Sequence, residues 1–149
     1  MAAITIERRV EWMDTDAAGI WHYSTAIRFA EAAEIELHRE LGIVDHTFGH
    51  TPRAHIEFDF SRSARFDDII EITLEVSRVG TTSVTYTVTM TCQGDPVASG
   101  QVVTVLTDED GRPTPLPAQV RRPLLGEHHD AGASGPGSPP SATSPSRDV

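Results

Sequence analysis

The stretch Glu11-Trp12-Met13-Asp14-Thr15-Asp16-Ala17-Ala18-Gly19-Ile20-Trp21-His22-Tyr23, with Ser24 to Leu41 (STAIRFAEAAEIELHREL) behind it, decides the fold. It reads as the end of a strand, an acidic turn containing a glycine, and one long helix. The turn follows from Asp14, Asp16 and Gly19, residue types that favour reversals over strands. The helix follows from a run rich in Ala, Glu and Leu. Ser24 is an acceptable N-cap, although Ile27 at the third helical position leaves no capping box. Gly42 suits the position just past the helix, and His38 and Arg39 suit its last turn. At about 100° per residue, Ile27, Ala30, Glu34, Leu37 and Leu41 form one stripe. Glu34 is therefore an acid inside an apolar face, expected to be satisfied by a partner. Tyr23 projects onto the same side if the helical turn extends back to it.

Upstream, Ile4, Ile6, Val10 and Trp12 share one face of a strand over residues 4–12, with Arg8 as the one mismatch. Downstream, residues 44–53 read as irregular. Four strand patterns follow. Ala54, Ile56, Phe58 and Phe60 alternate with His55, Glu57 and Asp59. Ile70, Ile72, Leu74 and Val76 alternate with Glu71, Thr73, Glu75 and Ser77. Val84, Tyr86, Val88 and Met90 alternate with Thr85, Thr87, Thr89 and Thr91. Val97 to Leu106 is the last. Gly80 and the Gln93-Gly94-Asp95-Pro96 run mark turns, so the last three strands read as an antiparallel meander. Regular structure is expected to end among the prolines of residues 108–117. Residues 1–125 read as one domain. Residues 126–149, dominated by Gly, Ser, Pro and Ala, bury too little apolar surface to offset their ordering entropy and read as a disordered tail.

With 149 residues, 38% hydrophobic content and a formal net charge of -10, the chain suits a globular domain. That charge argues against a nucleic-acid or anionic-membrane partner, both of which need a basic footprint. Cys92 is the single cysteine, so no intramolecular disulfide forms, and a reducing cytoplasm is expected. The segment MAAITIERRVEW has no apolar core of a signal peptide, and no run approaches the roughly 20 apolar residues that span a bilayer.

Residues 11–23 resemble the signature of the 4-hydroxybenzoyl-CoA thioesterase-like branch of the hotdog-fold superfamily. In that signature a strand leads into an Asp-x-Asp-x-x-Gly turn, an apolar residue follows the glycine, and an aromatic or histidine stands at the helix entrance. Ile56 to Phe60, and Ala64 through Ile72, look like the family's second strand, connecting segment and third strand. The resemblance spans roughly residues 4–107. It implies an α+β hotdog fold, a five-stranded antiparallel sheet wrapped around one long helix, assembled as a homodimer or homotetramer. It also implies an active site at the interface, near the helix N-terminus, hydrolysing an acyl thioester of CoA or of an acyl-carrier protein. Asp16 takes the position of the catalytic residue. Glu31 matches an acid the family often carries in mid-helix. Required cofactors are none, CoA being part of the substrate, and no metal is expected.

That chemistry suits these residues. A glycine-containing turn entering a helix leaves backbone N–H groups unpaired, and the helix dipole adds partial positive charge there. Such donors stabilise a developing oxyanion. By family position the N–H of Tyr23 aims at the thioester oxygen, and Gly19 lets backbone and substrate approach closely. Asp16 either attacks the carbonyl or activates a water. His22 and Tyr23 are adjacent where relatives have one pocket-lining ring, and Trp21 is a further candidate for substrate contact. Arg62 and Arg65 fall in the connecting segment and suit a CoA phosphate.

Each residue also has a plainer reading. Asp14 and Asp16 can be turn formers, with Asp14 the structural member of the pair. The rings of His22 and Tyr23 can be packing, and Arg62 and Arg65 solvated charges. His46, His50 and His55 lack a zinc-binding spacing, and Asp14, Asp16 and His22 make a weak metal trio. Cys92 has no visible activating partner, and His128-His129 carries no signal. Two rival functions share the fold: a hydratase or dehydratase acting on an enoyl-CoA, whose motif is not found here, and a non-catalytic acyl-CoA-binding protein.

Overall fold

The computed structural model describes residues 1–127, so most of the proposed tail lies outside the described residues, His128 and His129 included. The elements run β1 (Ala3–Arg9), a 3-10 turn (Trp12–Asp14), α1 (Tyr23–Glu40), α2 (Val44–Thr47), β2 (Arg53–Phe60), β3 (Ile69–Val79), β4 (Ser83–Cys92), β5 (Asp95–Val105) and α3 (Ala118–Leu124). The five strands form one antiparallel sheet in the order β1-β3-β4-β5-β2. The expected meander is β3, β4 and β5, and the sheet curves around α1.

The strand alternation builds the core. Ile70, Ile72, Leu74 and Val76 of β3, with Val84, Tyr86, Val88, Met90 and Cys92 of β4, are all buried on one face. Against them α1 buries Ala26, Phe29, Ala30, Ala33 and Leu37. The opposite face carries Thr and Glu, and Thr5 and Thr73 join hydroxyls across β1 and β3 at 3.0 Å. A sheet covered on one side only has this division.

Five expectations are corrected. The first strand stops at Arg9, because Val10 N–H bonds Asp68 O at 2.8 Å and Glu11 N–H bonds the Asp14 carboxylate at 2.8 Å, folding the chain into the 3-10 turn. Trp12 is consequently 80% exposed instead of facing the core. The helix begins one residue earlier than its supposed Ser24 cap: His22 is the N-cap, its Nδ1 accepting from Ser24 N–H at 3.2 Å. The buried stripe is rotated away from Ile27, Leu41 and Tyr23, and Tyr23 is 67% exposed. The segments read as irregular contain α2 and α3. The α3 helix buries Val120 and Leu124 and is tied to the sheet by Ala2 N–H donating to Leu124 O at 3.0 Å. Finally, β2 is an edge strand whose apolar side chains Ile56 and Phe60 stay partly exposed, since α1 does not reach over them.

Candidate active site

The site is the turn between β1 and α1. Asp16 N–H donates to Ile20 O at 2.9 Å and Gly19 N–H to Asp16 O at 3.0 Å, closing a tight reversal. Gly19 has φ +77°, and a Cβ built there meets nothing within 4 Å. The glycine is therefore required by its backbone angle, since no described atom of this chain crowds a Cβ there. Thr15 bridges to Trp21 and Ile20 to Arg65, and Trp21 N–H donates to Ala64 O at 2.8 Å. The turn thus rests on the segment joining β2 to β3.

The two aspartates differ in environment. Asp14 is 4% exposed. Its carboxylate accepts from Glu11 N–H and from Arg28 Nη2, each at 2.8 Å. Its carbonyl accepts from His22 N–H at 2.8 Å and Thr25 Oγ1 at 2.9 Å. Arg28 Nη2 also bonds Thr25 Oγ1 at 3.0 Å, so Asp14, Thr25 and Arg28 close a triangle between the turn and the first turns of α1. Asp16 is exposed. Its Oδ1 accepts from Ala18 N–H at 2.8 Å, an Asx turn, while Oδ2 has no partner among the described residues.

At the helix entrance, Ser24 N–H is capped by His22 Nδ1 and Thr25 N–H donates to His22 O at 2.8 Å. Tyr23 N–H has no acceptor among the described residues. It is a free donor at the positive end of an 18-residue helix. The rings of His22 and Tyr23 lie 4.1 Å apart.

The remaining candidates are dispersed. Trp21 is 4% exposed and packs on Phe29 and Phe60 at 6.2 Å each, so it is a core side chain beneath the turn and not an open wall. Arg65 is beside the turn and exposed, whereas Arg62 faces Asp95 at 3.1 Å. Glu31 is two helical turns from Tyr23 and lines a separate cleft of about 750 Å³ between α1 and residues 48–53. Arg28 lines that cleft too, and so stands between it and the acidic turn. No spacing rule links Asp14 to Arg28 before the turn is folded, which is why the sequence alone did not single out Arg28 or Thr25.

Below the cleft runs a buried polar chain. Arg53 of β2 grips Glu34 with both nitrogens, at 3.1 and 2.8 Å. Burial pushes the Glu34 carboxyl above its ordinary value, against the pull of Arg53. Thr47 Oγ1 donates to Ile43 O at 3.1 Å and meets His38 Nδ1 at 2.8 Å. With the hydroxyl proton given to Ile43, Nδ1 is the protonated nitrogen and Nε2 accepts from Tyr86 at 2.9 Å. Burial, then the Arg53 charge, pushes His38 down to about 4. Burial also raises the Tyr86 phenol. These groups satisfy one another and tie α1 to β2, α2 and β4.

The sequence matches the thioesterase-like superfamily over residues 10–124. The chain belongs to that superfamily. Its fold is the hotdog of these thioesterases. A 1,4-dihydroxy-2-naphthoyl-CoA thioesterase from Synechocystis superposes with TM-score 0.74 at 19% identity, covering 83% of this chain and 96% of that one. A protein described as a predicted thioesterase from Bacillus stearothermophilus superposes with TM-score 0.76 at 25% identity, covering 85% and 96%. Gentisyl-coenzyme A thioesterase gives TM-score 0.73 at 25% identity, covering 81% and 99%. A comparison with curated proteins gave no match. Family and fold together make this superfamily member a thioesterase.

Proposed function

We propose that the chain hydrolyses an acyl thioester of CoA or of a carrier protein, with Asp16 as the catalytic carboxylate and Tyr23 N–H as oxyanion donor. The observation that supports this most is the pairing of an incompletely satisfied, exposed Asp16 with a free N–H at the N-terminus of α1. In one route Asp16 Oδ2 attacks the carbonyl carbon, charge builds on the oxygen facing Tyr23 N–H, and the C–S bond breaks to release thiolate. Water then hydrolyses the anhydride, yielding free acid and regenerating the carboxylate. In the other, Asp16 takes a proton from water as its oxygen attacks, and the departing thiolate recovers a proton. Either product pair is acid plus thiol.

A second copy of the chain is expected to enclose the site. The outer edge of β2 is unpaired among the described residues, and exposed Ile56 and Phe60 favour covering it. We expect a homodimer or homotetramer, read by chromatographic mass. No helix among the described residues is long and apolar enough to cross a membrane, and the single cysteine suits a cytoplasmic setting. The hydroxylated aromatic acyl-CoAs named for two structural neighbours are the first substrates to try. The test is thiol release across aryl, short-chain and long-chain thioesters. Asp16→Asn should lose at least about 10²-fold in kcat with the fold intact; a fully active Asp16→Asn protein overturns the assignment.

A further inference from the structure

The part-buried triangle of Asp14, Thr25 and Arg28 beside the acidic turn has a consequence for turnover. Asp16 makes no hydrogen bond with α1 among the described residues; its neighbour Asp14 bonds the turn directly to the helix. Asp14 is joined to α1 at three points: by Arg28 to its carboxylate, and by Thr25 Oγ1 and His22 N–H to its carbonyl. The free Tyr23 N–H sits on the helix side of that joint and Asp16 on the turn side. Beside the Asp16–Ile20 bond and the Thr15–Trp21 bridge, the joint at Asp14 helps set the separation of catalytic carboxylate and oxyanion donor. Arg28 is the one cation in the joint, and its single Nη2 spans two of the three members, at 2.8 Å to Asp14 and 3.0 Å to Thr25. Thr25 is fully buried, whereas the Arg28 side chain is 49% exposed and reaches the pair from the cleft.

We propose that Arg28 is a positioning residue for the hydrolysis. By clamping Asp14 and Thr25 it holds the Asp16 carboxylate and the Tyr23 N–H at reacting distance from one carbonyl. This rests on the assignment of Asp16 under Proposed function. A displacement of about 1 Å in such an arrangement costs on the order of 10² in rate, because the geometry of attack is set before the bond forms. The loss falls on kcat, since neither group bonds the ground-state substrate through Arg28.

The test is steady-state kinetics on the best thioester of the panel, with Arg28→Ala, Arg28→Lys, Asp16→Asn and Arg39→Ala. Arg39 also lines the cleft but pairs with Glu36, away from the turn. Arg28→Ala should lose about 10²-fold in kcat with KM unchanged, and added guanidinium ion should restore part of it. Arg28→Lys should fall between Arg28→Ala and the native enzyme, and Arg39→Ala should match the native kcat. A folded Arg28→Ala with native kcat overturns the proposal. So does a rise in KM at native kcat, which would make Arg28 a substrate ligand, or a kcat loss that guanidinium leaves untouched. If Arg28→Ala does not fold, Arg28→Lys decides: native kcat overturns, reduced kcat at unchanged KM supports. Asp16→Asn separates the two claims, since an active Asp16→Asn enzyme removes the assignment of Asp16, whereas an inactive one beside fully active Arg28→Ala removes only the clamp.

Discussion

Acidifying the protein from pH 6.5 towards pH 4 should destabilise it through His38. The ring is buried and neutral, with Nδ1 donating to Thr47 and Nε2 accepting from Tyr86. In the unfolded chain it takes a proton at its ordinary 6.5; in the folded chain it resists until about 4. Between those values the unfolded state binds the extra proton, so stability falls as pH falls. At about 1.4 kcal/mol per pKa unit the whole effect is about 3 kcal/mol. Glu34 works the other way. Its raised carboxyl is stabilising while protonated and loses that contribution as pH rises, so it offsets part of the His38 loss on acidification. Arg53 and Tyr86 complete the charged and titratable groups facing the ring. The comparison that isolates His38 is with His38→Gln, measured by urea unfolding at fixed protein concentration across the pH range. The variant should be less stable at neutral pH by about 1 kcal/mol for its weakened hydrogen bonds. Its stability should then change less with pH, so the two curves converge and cross as pH approaches 4. Parallel curves over the whole interval would refute the assignment of a neutral, doubly bonded imidazole.

Arg53→Met leaves the Glu34 carboxylate buried without its cation, and should cost about 3–5 kcal/mol at neutral pH; the penalty should shrink in acid as Glu34 takes a proton, and Glu34→Gln in the same chain should recover most of it in urea unfolding. Gly100→Ala should destabilise by about 1–3 kcal/mol, because its Cβ would stand 2.0 Å from Glu57 O and push β2 off β5, which hydrogen exchange along β2 would register. Gly19→Ala should cost about 1–2 kcal/mol in unfolding free energy for its left-handed backbone and lower kcat, while Gly19→Asn, a residue that adopts that angle, should retain more of both.

The sheet was legible because β3 and β4 alternate cleanly and each buries its apolar set against α1. The helix was legible from composition, but its start was not. His22 is not among the preferred capping residues, and only the folded turn turns its Nδ1 towards Ser24 N–H. Periodicity placed Ala30, Glu34 and Leu37 on the buried face correctly but missed Ala26 and Ala33, which are too small to dominate a pattern, and included Ile27 and Leu41, which are only partly buried. Trp12 continued the β1 alternation by type, but a tertiary bond from Val10 N–H to Asp68 O and the local bond from Glu11 N–H to the Asp14 carboxylate ended the strand before it. At the site, the turn and its two aspartates were visible as residue types. The partners Arg28 and Arg53 were not, because each reaches its acid across a distance in sequence that no local period encodes.

The Asp-x-Asp pair looks symmetric in the sequence and is not symmetric in the molecule. Asp14 is enclosed, with a guanidinium and a backbone N–H bonded to its carboxylate. Both bonds occupy lone pairs that a nucleophile or base would use. Asp16 has one bond, to its own turn, and an oxygen left over. A carboxylate that attacks a carbonyl or takes a proton needs that vacancy, whereas one that fixes a turn needs its absence. The two roles therefore cannot be exchanged by moving substrate alone. In the proposed hydrolysis the turn is held by Asp14, and the chemistry falls to Asp16.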